Sequence, residues 1–301
     1  MNTTTKIDVH QMVTDRIIEI LETGTIPWKQ PWTSAGVPMN VISKRAYRGI
    51  NLWLLLSLNY ERNLFLTWDQ LKKLGGSVNQ GEHGWIVVFW KNVNKVPEEL
   101  DGNNQPKTVP MLRYYKVFNI AQCKDIPQHL IPAIVEAKHN SLEECEAIVS
   151  SMPNSPIIQH KQQKAYYDIA GDLVNMPKKK CFVSSESYYA TFFHELVHST
   201  GHEKRLNRKT VTEMAEFGSE TYSLEELVAE IGSAFLCASS GILETQIDSS
   251  TAYIKGWLGK LKGDKRFIMQ ASGQAQRAAD YIMNTLVTKD EQNESVEESV
   301  R

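Results

Sequence analysis

His194-Glu195-Leu196-Val197-His198 is the stretch on which the reading of this chain turns. In a helix, histidines four residues apart lie one turn apart on one face, so both imidazoles can reach a single cation. Glu195 projects beside them, where a carboxylate can take a proton from a metal-activated water. Upstream, Tyr188 to Phe193 supplies apolar residues for the buried side of such a helix, and Gly201 supplies a stop downstream. This spacing is the H-E-x-x-H pattern of zinc hydrolases, most often peptidases. The competing explanation is a pair of surface histidines on an ordinary amphipathic helix.

A catalytic zinc needs a third protein ligand and one open position. His202 stands one helical turn further on, but Gly201 argues against a straight helix reaching it. The longer metzincin pattern would require histidine at 204, where the chain has Lys204. A better source is the run Tyr222 to Glu230, a second helix with Leu227, Ile231, Ala234 and Phe235 turned inward. Glu226 and Glu230 lie one turn apart on a neighbouring face. As in peptidases of the glutamate-zincin type, Glu226 is expected to be the third ligand, with Glu230 orienting a ligand histidine from behind. Three acidic residues crowd this helix, so the choice between Glu226 and Glu230 stays open; without the histidines the run would read as a solvated acidic face. The expected site holds one Zn2+ per chain on His194, His198 and Glu226, with Glu195 as general base. Tyr222 and His202 are candidate donors to an oxyanion, His202 also being placed behind the ligands with Glu230. A strand within residues 165–176 offers an edge for an extended peptide substrate.

The rest of the composition sets bounds. With 301 residues, 42% of them hydrophobic and 23% charged, the chain has room for two globular domains. No apolar run approaches the ~20 residues of a membrane helix, and residues 1–10 lack a signal-peptide core. A cytoplasmic protein without a membrane partner is expected. Cys123, Cys145, Cys181 and Cys237 are widely spaced and expected as free thiols. The net charge of −2 hides an asymmetry: residues 1–125 carry 15 Lys and Arg against 11 Asp and Glu, and the remainder carries 18 against 24.

Six of the seven tryptophans fall within the first 90 residues, which argues for a boundary after Cys123. The pattern predicts helices over 9–22, 51–61 and 67–74, an extended segment over 26–32 set by two prolines, and strands over 84–90 and 111–120 joined by a polar hairpin loop. A capping box opens a short helix at Ser141-Leu142-Glu143-Glu144. Strands are expected within 165–175, and helices over 187–200, 224–239, 252–261 and 265–286. The fold class is therefore α+β with two domains, an N-terminal one over 1–125 with a small antiparallel sheet and a mostly helical C-terminal one over 157–288. Residues 126–156 would link them, and the acidic tail 289–301 would be disordered.

In the first half aromatic and basic residues alternate: Trp28 with Lys29, Arg45 and Arg48 around Tyr47, and Trp90 with Lys91. Rings that stack bases and cations that track phosphates hold single-stranded nucleic acid. The candidates are Trp28, Trp32, Tyr47 and Trp90 for stacking, and Arg45, Arg48, Lys72, Lys73 and Lys91 for phosphates. Core packing is the competing use, and it is expected for Trp53 and Trp85.

Taken together, these segments resemble ArdC-type antirestriction proteins and the related N-terminal region of plasmid TraC-type primases. The resemblance rests on Ile26-Pro-Trp-Lys-Gln-Pro-Trp32, Tyr47-Arg-Gly-Ile-Asn51, Phe65 to Gly76, Gly81 to Trp90 and Val117 to Gln122. In the second half it rests on Tyr188 to Thr191, Phe193 to Asn207 and Glu225 to Glu230. It implies a single-stranded-DNA-binding domain joined to a zincin-like metallopeptidase domain, in a plasmid or mobile-element setting where incoming DNA is protected from restriction during conjugation. Two other readings stand beside it. One is a regulatory zinc metalloprotease whose first domain recognises a protein partner; the other is a binding module whose metal only stabilises the fold.

Overall fold

The computed structural model describes residues 7–29, 36–94, 108–132, 141–212, 219–242 and 251–285. The first half opens with α1 (Val9–Glu22), capped by Asp8, whose side chain accepts the Gln11 N–H. Its buried apolar residues, Val13, Ile17, Ile20 and Leu21, keep the helical period seen in the sequence. Residues 27–29 were expected to be extended, yet they form one 3-10 turn. Proline at the first position of a helical turn loses no hydrogen bond and has a suitable φ already. That turn drives Trp28 into the core, where it is 2% exposed.

Next come β1 (Met39–Asn40), α2 (Ile50–Leu56), β2 (Leu64–Thr67) and α3 (Trp68–Lys73). Helix α2 stops at Leu56, short of the expected residue 61, because the chain turns through Asn59 in the left-handed region at φ 52°. Thr67 and Gln70 close a full capping box at the start of α3. The short strands β3 (Ser77–Val78) and β6 (Cys123–Lys124) pair with each other. The long strands β4 (Trp85–Asn94) and β5 (Thr108–Asn119) form an antiparallel ribbon that completes a sheet of order β1-β2-β5-β4.

The second half is mainly helical. It contains α4 (Ser141–Ser151), a small sheet of β7 (Ile157–Gln159), β8 (Tyr166–Asp168) and β9 (Leu173–Asn175), and α5 (Ser185–Thr200). A short α6 (Lys209–Thr212) precedes α7 (Glu220–Ser240), α8 (Thr251–Gly263) and α9 (Phe267–Ile282). The sheet order is β7-β9-β8, with β8 antiparallel to β9, which leaves β8 on an edge beside α5. Ser184 caps α5 and Ser219 caps α7, each accepting a backbone N–H three residues on. Gly241 ends α7 in the left-handed conformation.

Helix α7 runs between α5 and α9. Ala271, Ala275, Ala278 and Ala279 line the buried face of α9, and such small side chains let helices approach closely. The closest approach on the other side is at Gly232, where an added Cβ would stand 2.8 Å from Val197 Cγ2. The core does not divide at the sequence boundary: α1 packs on α8, α2 packs on α9, and the rings of Trp53 and Phe235 stack with centroids 5.0 Å apart. Helix α4, in the segment expected to link the halves, buries Cys145 and Ile148 and packs on α7. All four cysteines are free. Among the described residues no helix is long and apolar enough to cross a membrane. Residues 289–301 lie outside the described ones.

Gly232→Ala should be destabilising. Valine is stiff in a helix, so Val197 can yield only by moving α5. The expected cost is about 1–3 kcal/mol, read as an earlier midpoint in urea denaturation; an unchanged midpoint would refute the tight crossing.

Candidate metal centre

The site lies where α5 crosses α7. Phe192, Phe193, Leu196 and Val197 face the core, which turns His194 and His198 together toward the mouth of the crossing. Their Nε2 atoms are 3.1 Å apart. Glu226, on the facing turn of α7, places one carboxylate oxygen 3.7 Å from His194 Nε2 and the other 3.7 Å from His198 Nε2. Ligand atoms of these three half-buried side chains all lie within 4.8 Å of one another.

The tautomers follow from the neighbours. His198 Nδ1 is 3.1 Å from Glu225 Oε1, and a carboxylate can only accept, so Nδ1 carries the proton. Its Nε2 then points at His194 Nε2. Two lone pairs about 3 Å apart repel unless a proton or a cation lies between them. Tetrahedral zinc with ~2.0–2.1 Å bonds to nitrogen sets its ligands roughly 3.4 Å apart. Two imidazoles and a carboxylate with that spacing fit a divalent cation of the zinc type.

Glu225 is the residue that the sequence reading missed. Arg208 grips it with Nη2 at 2.6 Å from one oxygen and Nε at 3.1 Å from the other, and Thr210 Oγ1 donates at 2.5 Å. Burial alone would raise this carboxyl, but the hydrogen bond to His198 and the charge and hydrogen bonds of Arg208 hold it at about 2. Arg208 also donates to the Val197 carbonyl and to Thr200 Oγ1 at the end of α5. The orienting role expected of Glu230 therefore falls to Glu225 at His198. Glu230, five residues further on, faces a different direction: it accepts Trp28 Nε1 at 3.3 Å and a short hydrogen bond from the Tyr253 hydroxyl.

His202 was placed behind the ligands, and the structure corrects this too. The chain leaves α5 at Gly201, and His202 Nδ1 accepts the Lys204 N–H at 3.2 Å inside the following loop. Arg205 pins that loop, donating to Ser199 O at 2.7 Å and pairing closely with Asp172, which also accepts the Tyr167 hydroxyl. Strand β8 is thereby fixed beside α5.

Glu195 interacts with His198 and Glu226 and with the Tyr167 N–H of the edge strand. Burial, and then the charge of Glu226, raise its carboxyl above the usual range, although His198 and the Tyr167 N–H oppose this. Tyr222 faces Glu226 and Glu195; burial and the neighbouring carboxylates push its hydroxyl up to about 12.

Comparison with known proteins identifies the wider family. Residues 7–118 match the model of the N-terminal domain of the anti-restriction factor ArdC, and residues 143–274 match that of zincin-like metallopeptidases. Crystal structures of the antirestriction ArdC protein from the R388 plasmid superpose with 36% identity. The metal-free form has a TM-score of 0.72 and the alignment covers 92% of this chain and 97% of that one. For the Mn(II)-bound form these are 0.73, 92% and 98%. The chain belongs to the ArdC antirestriction family. It is 32% identical to the y4eC protein of Sinorhizobium fredii over 92% of each chain. It is also 31% and 32% identical to two DNA primase TraC proteins of Escherichia coli, of which it spans 27% and 20%.

The nucleic-acid candidates scatter over this ArdC-family fold. Trp28 is buried and bonded to Glu230, so no base can stack on it. Trp32 lies outside the described residues. Tyr47 packs edge-on against Phe65 with centroids 6.2 Å apart, a core contact in place of the stacking surface expected of it. Arg48 pairs with Asp280 of α9 at 2.5 Å. Arg45, Lys72, Lys73, Trp90 and Lys91 are exposed. Trp68 is exposed with Lys72 Nζ 5.4 Å from its ring centre.

Glu225 and Glu226 should separate cleanly on mutation. Glu225→Gln strands the buried Arg208 charge, and breaking such a pair costs about 3–5 kcal/mol. Glu226→Gln, at 30% side-chain exposure, should leave stability nearly unchanged in the absence of metal. Thermal melts of both variants in chelator read the difference, and equal losses would contradict the assignment.

Proposed function

We propose that this chain is an antirestriction protein of a mobile element which binds single-stranded DNA and carries a zinc-dependent peptidase site. The observation that carries the metal half is the convergence of two imidazole nitrogens 3.1 Å apart on a carboxylate 3.7 Å from each. The Mn(II)-bound relative supports a divalent cation at such a centre. We assign His194, His198 and Glu226 as its ligands, one ion per chain. The DNA half is supported by the ArdC-type N-terminal domain, by the relation to TraC primases and by the exposed Trp90 with its basic neighbours. Protection of transferred strands during conjugation is the setting this implies.

A divalent cation there would supply Lewis acidity toward a carbonyl and lower the pKa of water to about 7. The protein's own groups do the rest. Glu195, whose carboxyl burial raises, takes the proton of the attacking water and delivers it to the leaving amine. Tyr222 stays protonated at neutral pH and donates to the developing oxyanion. The free edge of β8 receives an extended peptide by strand addition, held in place through Arg205 and Asp172.

The test combines elemental analysis with function. Wild type and Glu195→Gln should each retain one zinc, whereas His194→Ala and Glu226→Gln should lose it. Binding of oligo-dT should weaken as salt rises, and Glu195→Gln should still shield transferred DNA, since it leaves the DNA surface intact. Zinc retained by His194→Ala would refute the ligand set, and salt-independent or absent oligonucleotide binding would refute the DNA half.

A further inference from the structure

A large open cleft of about 1400 Å³ runs between the β4–β5 ribbon and α9, with the start of α1 at one end. One wall is a stripe along α9: Arg266, its N-cap residue, and then Gln270, Gln274 and Arg277 recur at helical spacing. Gly273 lies in the same stripe and leaves open space where a side chain would stand. The two arginines are eleven residues apart, roughly 16 Å along the helix. Neither guanidinium forms an ion pair with a described residue. The one carboxylate among the described lining residues, Asp8, is already matched by Lys265 at 2.6 Å. The facing wall carries Trp90, 50% exposed, with the His10 ring 6.0 Å away.

Two residues that line the cleft, His10 and Gln274, each carry an unsatisfied polar atom just beneath its surface. His10 Nδ1 and Gln274 Oε1 are both buried without a hydrogen-bond partner among the described residues. A buried orphan of this kind is costly unless something binds it. Cations without an ion-pair partner among the described residues and an exposed indole face form the set that holds phosphates and stacks a base. In duplex DNA the base faces are already stacked, and an acidic peptide would leave the indole unused.

We infer that this cleft is the path of a single DNA strand, which lies between the two halves of the chain and is held as much by α9 as by the N-terminal sheet. The inference rests on the DNA-binding reading above and goes beyond it: the mainly acidic C-terminal half supplies phosphate contacts, so the N-terminal region alone would bind weakly.

The test uses the full chain and fluorescein-labelled oligo-dT, followed by anisotropy across a salt series. Arg266→Gln/Arg277→Gln should weaken binding at least about tenfold and flatten the log-log salt slope by about 1.4, two contacts at ~0.7 each. Trp90→Leu should cost about tenfold, and Lys178→Gln/Lys180→Gln, at exposed residues outside the cleft lining, should change little. Crosslinking the wild-type chain to a bromodeoxyuridine oligonucleotide avoids any question of variant folding, and adducts should map to Trp90 or His10. Adducts confined to Trp68, or α9 variants that bind like wild type, would overturn the cleft while leaving DNA binding in place. A wild type that binds no oligonucleotide at low salt, or binds poly-glutamate equally well, would remove the DNA reading itself.

Discussion

The buried carboxylate of Glu225 is the constraint around which this site is organised. It sits between a guanidinium and an imidazole, and each of those partners would be costly to bury alone. Arg208 bridges the loop after α5, the last turn of α5 and the start of α7, because it donates to Thr200, to the Val197 carbonyl and to Glu225. Glu225 in turn fixes the proton of His198 on Nδ1 and leaves Nε2 as a lone pair. The neighbouring Gly232 lets α5 and α7 approach closely enough for Glu226 to face both imidazoles. Removing the anion would unsettle three segments at once.

The same helix ties this centre to the other half of the chain. One turn beyond Glu226, Glu230 receives Trp28 from the N-terminal region and Tyr253 from α8. Further along, Phe235 stacks on Trp53 of α2. Arg48 reaches Asp280 of α9 from the opposite side. The two family-matched regions therefore share one hydrophobic core, and their common surface includes the cleft lined by Trp90 and α9.

Much of this was legible in the sequence, for physical reasons. Period-3.6 patterns located α1, α5, α7 and α9 to within a few residues, since each buries a continuous apolar stripe. The His-Glu-x-x-His spacing needed only helix geometry to bring two imidazoles together. What escaped depended on contacts distant in sequence. Glu225, Glu226 and Glu230 are equivalent by composition; only the placement of Arg208 and Trp28 assigns them different partners. Trp28 and Tyr47 sit beside cations in sequence yet point inward, because one short turn and one ring contact decide their direction. The cleft was invisible for the same reason: its walls come from residues near 10, 90 and 270, which no local pattern connects.

X-ray absorption spectroscopy at the zinc edge on the metal-loaded protein tests the central claim most directly. The account predicts two imidazole shells with nitrogen at ~2.0–2.1 Å, an oxygen shell and no sulfur. A spectrum with one imidazole, or with thiolate scattering from any of the four free cysteines, would contradict it.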